Sequence, residues 1–247
     1  MIETIIILSI LLVVVITYVI IMHLSFKKVI EKEKENAVNL FFASILSGGY
    51  EKRVNDFKVY NELVTDKGIV FVGDSLTENY NVYEYFKGLN VYNRGIGGDT
   101  TIGLLKRMKE SVYDLNPKLV VLLIGINDFE LVENSNVDTI FENINKIINN
   151  IHDNCKDTKI ILESLYPVCK TNDLKIDKAS VMHKDNDKIQ SLNEKLKTIK
   201  NVSYVDVYCH LVDETNNLKI EYTMEGLHIN TVGYKIITQV LLKEIEK

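Results

Sequence analysis

Ser75, His228 and Glu225 are the residues of this chain whose types and spacing best suit acyl transfer. Ser75 follows an apolar run in FVGDSLTENY (71–80), on a turn of the kind where a hydrolase places its nucleophile. His228 lies in the stretch EGLHIN, three residues after Glu225. A carboxylate at that spacing can accept a hydrogen bond from one ring nitrogen while the other nitrogen faces the serine. The three residues therefore predict a serine nucleophile with a histidine base and an acidic partner.

Donors for the developing oxyanion are the second requirement of acyl transfer. Gly98, in NRGIGGDT (93–100), can bring a backbone N–H close to a ligand because glycine has no side chain. Asn127, in GIND (125–128), can add a side-chain amide from a neighbouring turn. These two residues are the candidate oxyanion donors.

Ser75 also has a purely structural interpretation. With Glu78 it fits the S-x-x-E capping box, in which a serine hydroxyl satisfies the first amides of a helix. A cap would direct the hydroxyl toward those amides, and a nucleophile would direct it toward His228. The other histidines are less suited to be the base, since they lie in an apolar run, a predicted helix, a polar loop and beside a strand end: His23, His152, His183 and His210.

Several other functions lack their sequence signatures. The formal net charge of −5 and the pI near 5.6 argue against a nucleic-acid partner, which usually calls for a basic face. The stretch GIGGDT lacks the third glycine of a dinucleotide-binding loop, and the G-x-S-x-G nucleophile elbow is absent. The three cysteines show no metal-ligand spacing: Cys155, Cys169 and Cys209.

Alternating strands and helices must position these side chains. Short apolar runs, several of them continuous as in strands covered on both faces, predict strands at 68–73, 89–93, 118–125, 159–164 and 202–207. Segments of helical period lie between and after them, at 77–87, 100–114, 137–155, 186–199 and 231–246. This succession predicts an α/β fold, with a five-stranded, mainly parallel sheet between two helical layers.

Polar turns with small residues follow three of the predicted strands, at 73–75, 95–99 and 125–128. In open α/β sheets, ligands bind in the crevice beyond the carboxyl ends of the strands, so these turns should converge on one site. We expect three further residues of these turns to support that site: Gly73, Asp74 and Asp128.

Residues Thr4 to Leu24 contain no charge, and a helix of that length spans about 30 Å, the thickness of the hydrocarbon core of a membrane. A buried core helix rarely runs so long without a charge. A cleaved signal sequence usually has a basic start and a small-residue cleavage site. Here the residues before the apolar run include Glu3 and neither Lys nor Arg, and no such cleavage site follows. The sequence therefore predicts a retained single-pass anchor in 1–24, a juxtamembrane helical segment at 25–66 with a break at Gly48-Gly49, and one hydrolase domain at 67–247.

Four ordered motifs across residues 68–234 resemble those of the SGNH, or GDSL-type, esterase/lipase superfamily. They are GDSL (73–76), NRGIGGDT (93–100), GIND (125–128) and EGLHINTVGY (225–234). The resemblance implies a flavodoxin-like three-layer fold. It also implies a serine esterase that acts on short-chain acyl esters through an acyl-enzyme, without a metal or cofactor. In that family pattern Ser75 is both the nucleophile and a backbone oxyanion donor, Gly98 and Asn127 complete the oxyanion hole, and His228 is the base.

Glu225 departs from the family pattern, in which the acid is normally aspartate. Glutamate is one methylene longer, so its carboxylate must fold back or its loop must shift. Other serine hydrolases use glutamate as the acid, which makes an active enzyme the leading interpretation. Two alternatives stay open on the sequence: a non-catalytic binding or scaffold domain at the membrane, and an O-acyltransferase that uses the same site.

Substrate and sidedness are less constrained by the sequence. The resemblance suggests O-acetyl groups on carbohydrates or lysophospholipid-like esters, and the segment 165–187 is either a lid or pocket wall or an ordinary polar loop. The positive-inside rule favours a cytoplasmic domain, whereas anchored esterases of this kind suit envelope substrates. That rule rests on the lysines that follow the span: Lys27, Lys28, Lys32 and Lys34. The oligomeric state cannot be derived from the sequence.

Overall fold

A computed structural model describes residues 2–247, and for residues 3–5 and 35–47 it describes the backbone only. Helix α1 spans Ile2–Asn61, so the predicted break at Gly48-Gly49 is wrong. Glycine in a helix interior costs about 1 kcal/mol relative to alanine, which weakens a helix without ending it. The chain divides into two compact units, Met1–Gly49 and Tyr50–Lys247. The domain limits drawn from the sequence at 24 and 66 stay a prediction.

Among the described residues of the first unit, one segment is long and apolar enough to cross a membrane. This segment, Ile6–Lys34, has a mean hydropathy of 2.8 in its most apolar part, and none of that part is buried. A signal sequence near the N-terminus can meet the same criteria of length and composition, so the segment is a candidate span on these grounds alone.

The second unit is built on one five-stranded parallel sheet with the order β2-β1-β3-β4-β5. The strands are β1 Ile69–Gly73, β2 Val91–Gly95, β3 Leu119–Leu123, β4 Lys159–Glu163 and β5 Ser203–Val205. Every residue of β1 and β3 is buried, as their continuous apolar runs predict for strands covered on both faces. The predicted α/β fold with a five-stranded parallel sheet is confirmed.

Helices follow the strands and cover the sheet. They are α2 Ser75–Glu78, α3 Val82–Tyr85, α4 Thr101–Lys106, α5 Met108–Ser111, α6 Asp128–Leu131, α7 Val137–Asn154, α8 Lys178–Val181, α9 Asn186–Leu196, α10 Tyr208–Leu211 and α11 Thr231–Ile245, with 3₁₀ turns at Tyr113–Leu115 and Ile220–Tyr222. The apolar stripe of α7 is buried against the sheet, which illustrates why an amphipathic period predicts a covering helix.

Two predicted helices are each divided in the structure. The segment 77–87 forms α2 and α3, and the segment 100–114 forms α4, α5 and a 3₁₀ turn. The second division falls at Arg107, whose φ of −113° and ψ of 14° lie outside the helical range. The apolar periodicity of the sequence does not reveal such a break, because both short helices bury the apolar face of the single helix that was predicted.

The order of the strands explains how the three polar turns meet. Strand β1 lies between β2 and β3, and Gly73 at its end is level with both Gly95 and Leu123. The turns that carry Ser75, Gly98 and Asn127 therefore leave three adjacent strands at the same edge of the sheet.

Candidate active site

Three side chains from distant parts of the chain form a hydrogen-bonded series. Ser75 Oγ lies 3.0 Å from His228 Nε2, and His228 Nδ1 lies 2.6 Å from Glu225 Oε1. The serine is at the start of α2, whereas the histidine and glutamate lie in the loop before α11. With the proton on Nδ1 donated to the carboxylate, Nε2 is the nitrogen that can accept the serine proton.

Ser75 is not the cap of its helix. The N-cap is Asp74, whose Oδ1 accepts a hydrogen bond of 2.9 Å from Leu76 N, and Ser75 is the first helical residue. Glu78 does not close a capping box either, since its carboxylate accepts from Gly97 N at 2.9 Å. The capping-box interpretation is therefore wrong, and the serine hydroxyl is left to face the imidazole.

Glu225 reaches the imidazole because its loop is tightly folded. Its Oε1 also accepts a 3.0 Å bond from the backbone N–H of His228, which curls the side chain back over the loop. Gly226 has a φ of +114°, a value that favours glycine. Thr223 Oγ1 closes the turn by accepting from Gly226 N and donating to His228 O, at 2.8 and 2.9 Å. The extra methylene of glutamate is thus taken up within this loop.

Three amide donors lie at the nucleophile side of the site. Gly98 has a left-handed φ of 73° and is half-buried. Within the described part of the chain, no protein acceptor pairs with the backbone N–H of Ser75 or of Gly98. Asn127 is 7% exposed, and its Nδ2 donates to Asp99 O at 3.0 Å, which fixes the plane of the amide. The Ser75 and Gly98 N–H groups and the Asn127 amide are therefore candidate donors to an oxyanion.

Asp128 supports the turn that carries Gly98. This fully buried carboxylate accepts from both Thr101 N, at 2.9 Å, and Thr101 Oγ1. Asn143 of α7 donates to the same hydroxyl at 2.9 Å. Burial raises the pKa of the Asp128 carboxyl, while its bonds to Thr101 lower it.

Gly73 and Asp74 form the turn beneath the nucleophile. A Cβ at Gly73 would lie 2.0 Å from the carbonyl oxygen of Leu123, so only glycine fits between the two strands. Asp74 is fully buried, and that burial raises the pKa of its carboxyl to about 7. Gly73 therefore allows the close packing of the turn, and Asp74 caps the helix that follows it.

The segment 165–187, which follows β4, is hydrogen-bonded to the loop that carries Glu225 and His228. Cys169 N donates to Gly226 O and Asp177 N donates to Glu225 O, each at 2.8 Å, so the loop that carries the imidazole rests on this segment. At its other end the Lys184 ammonium, 3% exposed, pairs with the carboxylate of Glu130 in α6. Since α6 begins directly after Asn127, the segment joins the base loop to the oxyanion side. The sequence carried no signal for this ion pair, because polar side chains in a long loop are usually solvated.

Comparisons with known proteins bear on the family and the fold of this chain. The family model described as the GDSL-like lipase/acylhydrolase family matches residues 71–236. The human platelet-activating factor acetylhydrolase IB subunit alpha2 is 28% identical over 179 residues, which are 70% of this chain and 73% of that protein. A GDSL-like lipase of Bacteroides thetaiotaomicron is 29% identical, with a TM-score of 0.69 over 78% of this chain and 97% of that one. A solved structure from Streptococcus pneumonia is 30% identical, with a TM-score of 0.77 over 85% of this chain and 98% of that one.

Proposed function

The chain belongs to the GDSL-like lipase/acylhydrolase family, and we propose that it hydrolyses short-chain acyl esters with Ser75, His228 and Glu225 as its catalytic triad. A hydrolase acting on esters is the activity that the family and the relatives share. The observation that supports the triad is the series from Ser75 Oγ through His228 to Glu225, at 3.0 and 2.6 Å. A serine that only begins a helix would not require a histidine and a carboxylate at these distances.

The proposed reaction follows from the positions of these groups. Glu225 holds His228 with Nε2 toward the serine, and Nε2 accepts the hydroxyl proton as Ser75 Oγ attacks the ester carbonyl. The carbonyl oxygen becomes an oxyanion, which accepts from the Ser75 and Gly98 N–H groups and the Asn127 amide. The histidine then returns its proton to the leaving alcohol. Water deprotonated by the same nitrogen then attacks the acyl-enzyme, the bond from the acyl carbon to Ser75 Oγ breaks, and His228 returns the proton to Ser75 as the acid leaves.

Fluorophosphonate labelling tests the role of the nucleophile. The wild-type protein should be labelled and should hydrolyse p-nitrophenyl acetate, because a serine activated by histidine attacks both reagents. Ser75→Ala should not be labelled, and its kcat should be lower by roughly 10⁴-fold or more. Ser191→Ala, at an exposed position of α9, is the matched control and should retain both. An unchanged rate in Ser75→Ala would show that another group performs the reaction.

Transfer of the acyl group to an alcohol is tested in the same assay. A hydrolase should release free acetic acid in proportion to nitrophenol when a sugar or glycerol is added as competing acceptor. Accumulation of the acetylated acceptor at the expense of acetic acid would instead assign the chain to O-acyl transfer, with the same three residues.

The second part of the proposal is that Ile6–Lys34 holds the enzyme at the membrane as a single-pass anchor. Its hydropathy of 2.8 and its exposure support a segment whose solvent is lipid. The full 28.3 kDa chain should remain in the membrane pellet after carbonate washing, with its N-terminal segment present by intact mass. A chain shortened to a site beyond the apolar run would instead indicate a cleaved signal sequence. Protease accessibility in intact cells would then assign the side of the domain.

A further inference from the structure

One fully buried guanidinium lies beneath the oxyanion side of the site. Arg107 is 1% exposed and sits at the division between α4 and α5. Its Nε and Nη2 both lie 2.7 Å from Asp99 Oδ2. Nη1 donates to Ser111 Oγ and to Arg94 O at 2.7 Å, and Nη2 donates to Gly73 O at 2.8 Å. Each nitrogen of the planar group therefore has an oxygen partner, which is the arrangement that only arginine can make.

The partners of Arg107 belong to the turns that carry the proposed oxyanion donors. Gly73 is the last residue of β1 and stands two residues before Ser75. Asp99 directly follows Gly98, and the carbonyl of Asp99 accepts from Asn127 Nδ2 at 3.0 Å. The guanidinium thus contacts the nucleophile turn and the Gly98 turn, and it reaches the amide of Asn127 through Asp99.

The physical strength of this connection comes from burial. The side chains of Arg107 and Asp99 are 1% and 2% exposed, so water does not screen their attraction. Replacing Arg107 leaves the buried carboxylate of Asp99 without its charged partner and removes one donor each from Arg94 O and Gly73 O, so the surrounding backbone must move to compensate. Displacement of a catalytic group by about 1 Å can reduce a rate by roughly 10²-fold.

We propose that Arg107 is a positioning residue of the oxyanion hole, which sets the Gly98 and Asn127 donors relative to Ser75 by holding Asp99 and Gly73. This inference rests on the proposed function, since the oxyanion hole is defined by it. Arg107 does not touch the substrate. Its effect should therefore fall on the rate of the chemical step rather than on the binding of the ester.

The test is Arg107→Lys, which keeps the charge but cannot hold the two turns and the carboxylate together. Kinetics are measured on p-nitrophenyl acetate at a temperature where thermal unfolding shows the variant to be folded. We expect kcat to fall roughly 10- to 100-fold while KM changes less than about threefold. Lys106→Met, at the exposed neighbouring position, is the matched control and should leave both constants unchanged.

A double variant separates positioning from general stabilisation. Asn127→Ala removes one donor, and if Arg107 acts on the same hole, Arg107→Lys combined with Asn127→Ala should lose clearly less than the product of the two single losses. A product of the single losses, or a folded Arg107→Lys with unchanged kcat, would overturn the inference. If Arg107→Lys does not fold, Asp99→Asn applies the same test, because its amide oxygen still accepts from Nε while the charge is gone. A Ser75→Ala variant that keeps full activity would refute the proposed triad itself, whatever the Arg107 variants show.

Discussion

The two sides of the candidate site are held in place by different interactions. On the nucleophile side, Ser75, Gly98 and Asn127 follow three adjacent strands, and buried side chains hold their turns. On the base side, His228 and Glu225 stand on a loop, with side chains 29% and 22% exposed. The sheet therefore determines the positions of the residues on the nucleophile side, and contacts between loops determine the positions of those on the base side.

The kinds of bond differ accordingly. The nucleophile side uses charged side chains that are almost fully buried, such as Arg107 with Asp99 and Asp128 with Thr101. The base loop instead rests on backbone hydrogen bonds, in which Glu225 O and Gly226 O accept from the segment after β4. A buried ionic contact tolerates little displacement, and we expect a loop held mainly through backbone hydrogen bonds to adjust more readily. The contrast therefore predicts that the departure from the usual aspartate, at Glu225, falls on the more adjustable side.

The largest effect should come from the charge of Glu225. Glu225→Gln keeps the size of the side chain but presents an amide to Nδ1, so the imidazole loses the partner that orients it and stabilises its charged form. We expect kcat on p-nitrophenyl acetate to fall about 10⁴-fold, as for the loss of the acid in other triads. Glu221→Gln, at an exposed position of the same region, should be neutral.

Glu225→Asp tests whether the base side is adjustable. The shorter acid restores the carboxylate, and the loop should shift enough to retain activity within about tenfold of the wild type. A loss as large as that of Glu225→Gln would show instead that the base loop is as rigid as the strand ends, and the contrast between the two sides would fail.

The matching experiment on the nucleophile side is at Asn127. Asn127→Ala should reduce kcat roughly 10²- to 10³-fold with little change in KM, because it removes one donor to the transition state. Asn127→Gln keeps the amide but adds a methylene, and we expect it to lose nearly as much, since Asp99 O and the strand ends fix the geometry. Recovery of activity in Asn127→Gln would contradict the rigid nucleophile side. Asn154→Ala, exposed at the end of α7, is the control.

Most of the sheet could be predicted from the sequence, because strands buried on both faces are continuous apolar runs. The run IVFVG is a clear example, since all five of its residues are buried. The order of the strands could not be predicted in this way. Apolar runs indicate that strands exist, but the placement of β1 between β2 and β3 depends on which helices cover which face.

The sequence indicated the residues proposed to take part in the reaction. It did not indicate the residues that hold them in place. His228 was distinguished from the other histidines by the carboxylate three residues before it. Arg107 was not distinguished, because arginine is usually exposed and its position fits the polar face of a predicted helix. The reach of Glu225 depends on Gly226 and on Asp177, which is 48 positions away in the sequence, and no local pattern predicts that contact.

Lys184 joins the two sides, so its removal should have a moderate effect. Lys184→Met breaks the buried ion pair with Glu130 and loosens the segment that supports Glu225 O. We expect kcat to fall about tenfold or less, equivalent to roughly 1.4 kcal/mol in the barrier, because the triad itself is intact. Lys178→Met, exposed in α8, is the control. Equal losses in both variants would mean that the charge of the segment matters rather than the ion pair.

The smallest effect on activity should come from Glu163, at the end of β4, although its effect on stability should be clear. Burial raises the pKa of the Glu163 carboxyl to about 8, and Tyr166 donates to it at 2.5 Å. An unfolded glutamate titrates near 4.3, so between about pH 4 and 8 the folded chain binds more protons than the unfolded chain. This contribution to stability is fully present below pH 4 and is lost as pH rises through 8.

Glu163→Gln should therefore flatten the pH dependence of the free energy of unfolding. Between pH 5 and 8 the wild type should lose up to about 1.4 kcal/mol per pH unit from this one group, and the variant should lose correspondingly less in urea titrations of the full chain in detergent. Asp177→Asn is the matched change on the base side. Its hydrogen bonds to Ala179 N and the Ser180 hydroxyl lower the pKa of the Asp177 carboxyl, so it already titrates below this range. The slope should change only in Glu163→Gln, because burial raises the pKa of the Glu163 carboxyl to about 8, whereas hydrogen bonds lower the pKa of the exposed Asp177 carboxyl. Equal changes of slope in Glu163→Gln and Asp177→Asn would contradict this electrostatic difference between the two carboxyls.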